Sequence, residues 1–228
     1  LKASKCYLLH QRLEVLGYYV TPDGLVMQPE KLSALIKKIG PDGRPVGPSS
    51  VKEIRTFLGA VQFYRRFLPR LSLLAAPMNA LLKKIPEGDP RWQTGTVEHR
   101  NMWEGVQQSY EAILMFLQSS AVISAPDLQD PLAEYVICTD ACDIAAGGVL
   151  LQWQWPVHGE FGPGPPAGIP IRGEKGHVDP LLQNWRLEAG WKLRTIEFYS
   201  KTFDVAQQNY ATFDQESAAI LLCCRKWA

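Results

Sequence analysis

Two apolar strands set back to back, with one acid closing the first, limit what this chain can become. Tyr135-Val136-Ile137-Cys138-Thr139-Asp140 has the length and composition of a strand. Ala141 to Gln152 then reads as a small-residue turn and a second, returning strand. A carboxylate there stands at the edge of a buried sheet, where desolvation is costly unless a cation pairs with it. The pattern is one half of a metal site. Glu216, on a helical stretch near residue 228, is a plausible second half.

At 228 residues the chain has room for one large or two small domains, and its 46% hydrophobic fraction is ordinary for a globule. No apolar run approaches the ~20 residues needed to cross a bilayer. Lys2, Lys5, His10 and Arg12 interrupt any signal-peptide pattern, and the start at Leu1 reads as a piece of something longer. Five cysteines, Cys6, Cys138, Cys142, Cys223 and Cys224, form no CxxC pair. They read as reduced thiols of an intracellular protein rather than as a zinc site. Charge divides unevenly: residues 1–84 hold 14 Lys and Arg against 5 Asp and Glu, and residues 85–228 hold 10 against 18. A basic front half can hold a polyanion and an acidic rear half cations; equally, these charges can do no more than solvate helices.

Local signals order the rest. Tyr18-Tyr19-Val20, Thr21-Pro22-Asp23-Gly24 and Leu25-Val26-Met27 predict strand, turn and strand. Pro29 opens a helix through Leu32, Leu35 and Ile36 that stops at Gly40, and residues 40–49 form a loop. Ser50-Val51-Lys52-Glu53 is a capping box, and its helix should reach about Leu68, just before Pro69. Ile54, Phe57, Leu58, Val61 and Leu68 make its apolar stripe. Lys52, Arg55, Gly59, Gln62 and Arg66 recur on another face. Cations around a glycine would let a phosphate backbone approach closely; the alternative is a solvated flank. Helical stretches follow at Leu71–Lys84, interrupted near Pro77, and at Met102–Leu117. Residues 86–100 read as loop. Pro156–Pro180, dense in Gly and Pro, reads as a flexible excursion. A strand at Arg194–Ser200 and a helix at about Ala211–Trp227 close the order, with no assignment for 181–192.

In that order, several short motifs resemble the Pol polyprotein of gypsy-type long-terminal-repeat retrotransposons. They are Lys5-Cys6, Leu16-Gly17-Tyr18, Val51 to Gly59 with Phe63-Tyr64-Arg65-Arg66-Phe67, and Ala75-Ala76-Pro77-Met78 with Leu81-Leu82-Lys83-Lys84. Thr139-Asp140-Ala141 and Phe198-Tyr199-Ser200-Lys201, with Asn209-Tyr210-Ala211-Thr212 and Gln215-Glu216, complete the set. The resemblance implies an α+β chain. Residues 1–27 would be the end of a reverse-transcriptase palm, 28–84 a helical thumb, and 85–131 the connection. Residues 132–228 would be the first part of an RNase H-like mixed α/β sheet, with an insertion at about 153–193. It implies that Leu16-Gly17 sits where the primer end is gripped. It also implies that Lys52, Arg55, Gly59, Gln62 and Arg66 follow a template–primer duplex or RNA–DNA hybrid. Asp140 and Glu216 would be catalytic and metal-binding, in chemistry where carboxylates hold two Mg²⁺ ions ~4 Å apart.

The activities so implied are RNA-directed DNA synthesis, a nucleotidyl transfer, and endonucleolytic cleavage of RNA in hybrids. Partners would be nucleic acid and the remainder of the polyprotein, in the cytoplasm (a virus-like particle) or the nucleus. The sequence departs from the family at several points. The given residues begin after the expected Tyr-x-Asp-Asp motif and end before the later RNase H aspartates. Cys142 and Ala145 replace the usual Ser and Gly, and 153–193 far exceeds the usual short connection. Lengthening a surface loop costs only ~0.6 kcal/mol per doubling, so a hairpin insertion is tolerable; intron or decayed sequence read in frame is the alternative. The expectation is a Pol fragment inactive on its own. A duplex-binding remnant or co-opted retroelement protein is the rival from another class, and a relic with no selected role is the third reading.

Overall fold

The computed structural model describes residues 11–36, 39–84, 97–119, 122–129, 133–155 and 190–228. Lys5-Cys6, most of the loop at 86–100, and the excursion at 156–180 lie outside the described residues. Alternating apolar positions near the front build a three-stranded antiparallel sheet of β1 (Leu13–Val15), β2 (Tyr18–Thr21) and β3 (Gly24–Met27), in that order. Leu16 and Gly17 close the first hairpin, both at positive φ (51° and 85°), as a two-residue turn matched to strand twist requires. Ile123 extends the sheet by exchanging backbone bonds of 2.7 and 3.2 Å with Leu25. The next amide, Ser124, donates to the Thr195 carbonyl at 2.7 Å and so ties the front of the molecule to the rear.

Helices cover this sheet. Pro29 stands in the first turn of α1 (Pro29–Leu35), whose end comes before the expected Gly40. The Ser50 hydroxyl caps α2 (Val51–Gln62) by accepting the Glu53 amide at 3.2 Å. Glu53 reaches one residue farther back than a capping box demands, taking the Ser49 amide at 2.8 Å and its hydroxyl at 3.1 Å. The helix stops at Gln62 rather than near Leu68. Leu68 precedes Pro69 and is extended (φ −108°, ψ 107°), as the proline ring forces, and a 3-10 turn at Arg65–Phe67 makes the transition. That turn puts Phe67 and Leu68 into the core. Two further helices, α3 (Leu71–Leu74) and α4 (Ala76–Lys84), break at Ala75, with Pro77 in the first turn of α4. The long α5 (Val97–Gln118) starts five residues before the expected Met102. Ile54, Val61, Leu68, Met78 and Ile113 are 0% exposed in one cluster with Met27 and Ile123, so α2 to α5 and the front sheet share a single core. Each such side chain contributes ~1.5–3 kcal/mol by leaving water.

The rear sheet is β4 (Tyr135–Ala141), β5 (Ala145–Gln154) and β6 (Lys192–Thr202), all antiparallel and in that order. Its described strands contain no parallel pair, where the resemblance implies a mixed sheet. Asp140 faces Gly147 in the register and Thr139 faces Gly148. A bulge between Leu150 and Leu151 shifts the pairing with β6. A short helix, α6 (Val205–Gln208), follows, opened by a capping box between Asp204 and Gln207. The last helix, α7 (Thr212–Trp227), turns Gln215, Ala219 and Cys223 onto the sheet. It sits close enough that a Cβ at Gly148 would collide with the Cys223 sulfur. Trp153 and Trp191 are buried together against Val136. Gln152, 0% exposed, accepts from the Asp127 amide at 2.8 Å and donates to the carbonyls of Asp127 (2.7 Å) and Ala133 (3.1 Å).

Two outcomes follow from this packing. Gln152→Leu should cost about 1–3 kcal/mol in urea unfolding, because the Asp127 and Ala133 backbone groups lose their partner without gaining water. The pKa of the Cys223 thiol is pushed up to about 11, chiefly by burial and further by Cys224. A disulfide reagent at pH 8 should therefore find the same number of native thiols in the wild type and in Cys223→Ser, and one fewer in the variant after unfolding in urea.

Candidate nucleic-acid interface and acidic site

The first hairpin is fixed to the end of α2 by one aromatic side chain. Tyr18 donates its hydroxyl to the Phe63 carbonyl at 2.7 Å. Its ring stacks on Phe63 (4.8 Å) and Phe67 (5.5 Å) and meets Tyr64 edge-on (6.1 Å). Burial raises the Tyr18 hydroxyl pKa, and the charge of Arg66 opposes that rise. This clamp holds the Leu16-Gly17 turn out from the surface: Leu16 is 86% exposed despite its left-handed backbone. A Cβ at Gly17 would stand 3.4 Å from the Phe63 ring, an ordinary contact, so it is the φ of 85° that favours glycine here. An open cleft of about 530 Å³, lined by Leu16, Gly17, Thr56, Ala60 and Phe63 among others, joins the turn to α2.

The charged flank of α2 is divided by the helix end. Val51, Ile54, Phe57 and Val61 are buried, and Lys52, Arg55, Gly59 and Gln62 lie exposed on the opposite flank. A Cβ built on Gly59 meets nothing within 4 Å, so its bareness serves no internal packing. Arg66 does not continue the series. It falls in the 3-10 turn after Gln62, half-buried beside Tyr18, and its Nε is buried without a hydrogen-bond partner among the described residues.

Asp140 points to the face of the rear sheet that it shares with Gly147 and Ser200. There it accepts an ion-paired hydrogen bond from the Arg70 guanidinium. Arg70 is itself left-handed (φ 52°) and immediately precedes α3. Ser200 lies next to the pair, receiving the Ser72 amide on its hydroxyl at 2.9 Å and Arg65 on its carbonyl at 3.4 Å. The Arg65 guanidinium stands 5.8 Å above the Tyr199 ring. A hollow of about 200 Å³ opens beside Asp140, lined by Arg70, Cys138, Thr139, Gly148 and Phe198 among others. Glu216 is half-buried on α7, the helix that covers the alternate face at Gly148. No hydrogen bond or ion pair joins it to Asp140 among the described residues.

Oxygen donors of this kind suit Mg²⁺, which takes carboxylates and water. The described residues do not complete a metal ligand set: among them no three His, Cys, Asp or Glu side chains converge, and Asp140 is paired with Arg70. Arg70, Arg65, Ser72 and Ser200 are partners of this site that the sequence does not reveal. Arg70 and Asp140 are 70 residues apart, and no local pattern announces such a pair. The Pro69-Arg70 step is legible as a break, not as a contact.

Known proteins supply the context. The RNase H-like domain found in reverse transcriptase matches residues 180–228. A retrovirus-related Pol polyprotein from transposon 297 of Drosophila melanogaster is 31% identical over 157 residues, 69% of this chain and 13% of that protein. The transposon Tf2-3 polyprotein of Schizosaccharomyces pombe is 27% identical over 225 residues, 98% of this chain and again 13% of the relative. The chain thus spans about an eighth of those polyproteins. In fold it resembles a foamy viral protease-reverse transcriptase solved with double-stranded DNA (TM-score 0.61, 15% identity, 96% of this chain and 28% of that one). A second foamy viral structure, with RNA/DNA hybrid, gives a TM-score of 0.60 at 15% identity over 98% of this chain and 23% of the other. The chain is thus similar to part of retrotransposon Pol polyproteins, and its residues 180–228 match the RNase H-like domain found in reverse transcriptase.

Proposed function

We propose that this chain is the part of a gypsy-type Pol protein that follows the nucleic-acid duplex from the polymerase toward the nuclease. The front sheet would be the end of the palm, α1 to α4 the thumb, and α5 the connection. Residues from about 132 would begin the RNase H domain. The observation that carries the reading is the exposed flank of α2, where Lys52, Arg55 and Gln62 surround a glycine that nothing inside the protein requires. A bare glycine between cations lets a sugar–phosphate backbone come within contact of the helix. The Leu16-Gly17 turn supports the same reading. A leucine held at positive φ and turned to solvent is locally unfavourable, and such strain persists where the surroundings enforce it.

RNA-directed DNA synthesis and hybrid cleavage belong, on this reading, to the whole polyprotein in an intracellular setting. The 228-residue chain binds duplex and cuts nothing, since Asp140 is held by Arg70 and Glu216 lies on the helix over the other face. Hybrid cleavage by the purified chain in Mg²⁺ or Mn²⁺, lost in Asp140→Asn, would overturn that last statement.

Fluorescence anisotropy with a labelled RNA–DNA hybrid tests the interface. Lys52→Ala with Arg55→Ala should weaken binding and flatten the plot of log affinity against log salt by about one to two units, one for each phosphate no longer neutralised. Equal affinity and slope in the double variant would sink the assignment. Gly59→Ala separates fold from function: it should raise helix stability by up to about 1 kcal/mol, because its Cβ has open space, while lowering hybrid affinity. A variant both more stable and equally tight would remove the glycine from the interface.

A further inference from the structure

Asp140 is paired with Arg70 rather than left open, and we propose that the Arg70–Asp140 pair is a latch. It docks the turn between α2 and α3 onto the rear sheet, and while docked it withholds the Asp140 carboxylate from any other cation. The masking half of this proposal rests on reading Asp140 as a cation-binding carboxylate; the docking half does not.

Several independent contacts converge on the docked turn. Arg70 reaches Asp140, the Ser72 amide reaches the Ser200 hydroxyl at 2.9 Å, and Arg65 reaches the Ser200 carbonyl at 3.4 Å. The Arg70 side chain also lies on Gly147, where an added Cβ would come within 3.7 Å of its Cγ. Gly147 is the strand partner of Asp140, so the arginine stem covers the residue facing the carboxylate that its head group holds. Arg70 adopts a backbone conformation that asparagine or glycine reaches more easily, at φ 52° and ψ 31°. The pair is nonetheless more than half exposed at both ends (62% and 56%), so water and salt can reach it. A contact of this kind is weak enough to open and specific enough to hold one geometry. Opening it would leave Asp140 at the edge of the 200 Å³ hollow with no protein cation among the described residues.

Two measurements on the full chain test the latch. Hydrogen exchange at the Ser72 amide reads docking, since Ser200 protects that N–H. Titration calorimetry with Mn²⁺ alone reads the carboxylate. Arg70→Asn, which tolerates the left-handed backbone, should lower Ser72 protection about two- to fivefold, the range an exposed ion pair supports. The reversed pair, Arg70→Asp with Asp140→Arg, should restore it. Unchanged protection in Arg70→Asn, or a drop that the reversed pair does not repair, overturns the latch. Mn²⁺ binding that tightens by a similar factor in Arg70→Asn and disappears in Asp140→Asn supports masking. A drop and repair of protection, with Mn²⁺ binding indifferent to Asp140→Asn, keeps the docking and overturns Asp140 as a cation ligand.

Discussion

The consecutive glycines of β5 are where other parts of the chain come closest to the two faces of the rear sheet. Gly148 admits α7, whose Cys223 sulfur occupies the space a side chain would need. Gly147 looks the other way and admits the stem of Arg70. A side chain at Gly148 would lift the last helix, whereas a Cβ at Gly147 would make ordinary contact with the Arg70 stem. Everything near Asp140 depends on this arrangement, because the strand register sets Asp140 opposite Gly147 and Ser200 beside it. The polar contacts of Arg65, Arg70 and Ser72 are then local consequences of one close approach. The Ser124–Thr195 bond, made next to the β5 bulge, is the second tie between front and rear.

The cations of the front half fall into two groups, and their contacts separate them. Lys52 and Arg55 are exposed on α2, in a high-dielectric setting where their attraction for a polyanion is long-ranged but screened by salt. Arg65, Arg66 and Arg70 follow the helix end and lie beside Tyr199, Tyr18 and Asp140 respectively, Arg65 and Arg70 while still exposed. These basic residues look alike in the sequence, yet they divide at Gln62. Those before it project from α2, and those after it reach groups elsewhere in the chain.

Much of the fold is legible because its signals are short-range. The Thr21–Gly24 turn, Pro29 at a helix start, the Ser50 cap, the strand pair at Asp140 and the final helix all follow from neighbours within a few residues. The short helix at Val205 has its own local signal in the Asp204–Gln207 box, a cue the sequence reading leaves unused. The end of α2 is the main misplacement, because the apolar period runs on through Leu68 while the backbone obeys Pro69. The same extension of the period assigns Arg66 to the flank of α2, whereas it falls in the 3-10 turn after Gln62. The candidate site is legible as residues and not as geometry. Nothing near Asp140 in sequence foretells a guanidinium from 70 residues away, and nothing near Glu216 says which face α7 will cover.

Positions that break a local rule without an internal reason are the most informative ones in this chain. Gly148 breaks the strand rule, but Cys223 explains it. Gly17 breaks no rule, since its φ of 85° is what the two-residue hairpin turn asks for. Gly59 is different. An exposed glycine in mid-helix costs roughly 0.8–1 kcal/mol relative to alanine, and open space around it means that a methyl group would cause no strain. Leu16 is the complementary case: a large apolar side chain at positive φ, exposed where a glycine or asparagine would be easier. Both features lower stability and neither improves packing; Leu16 lines the cleft between the hairpin and α2, and Gly59 stands on the exposed flank of that helix. The fold alone gives no reason to keep either, and the duplex contact we propose would supply one for both.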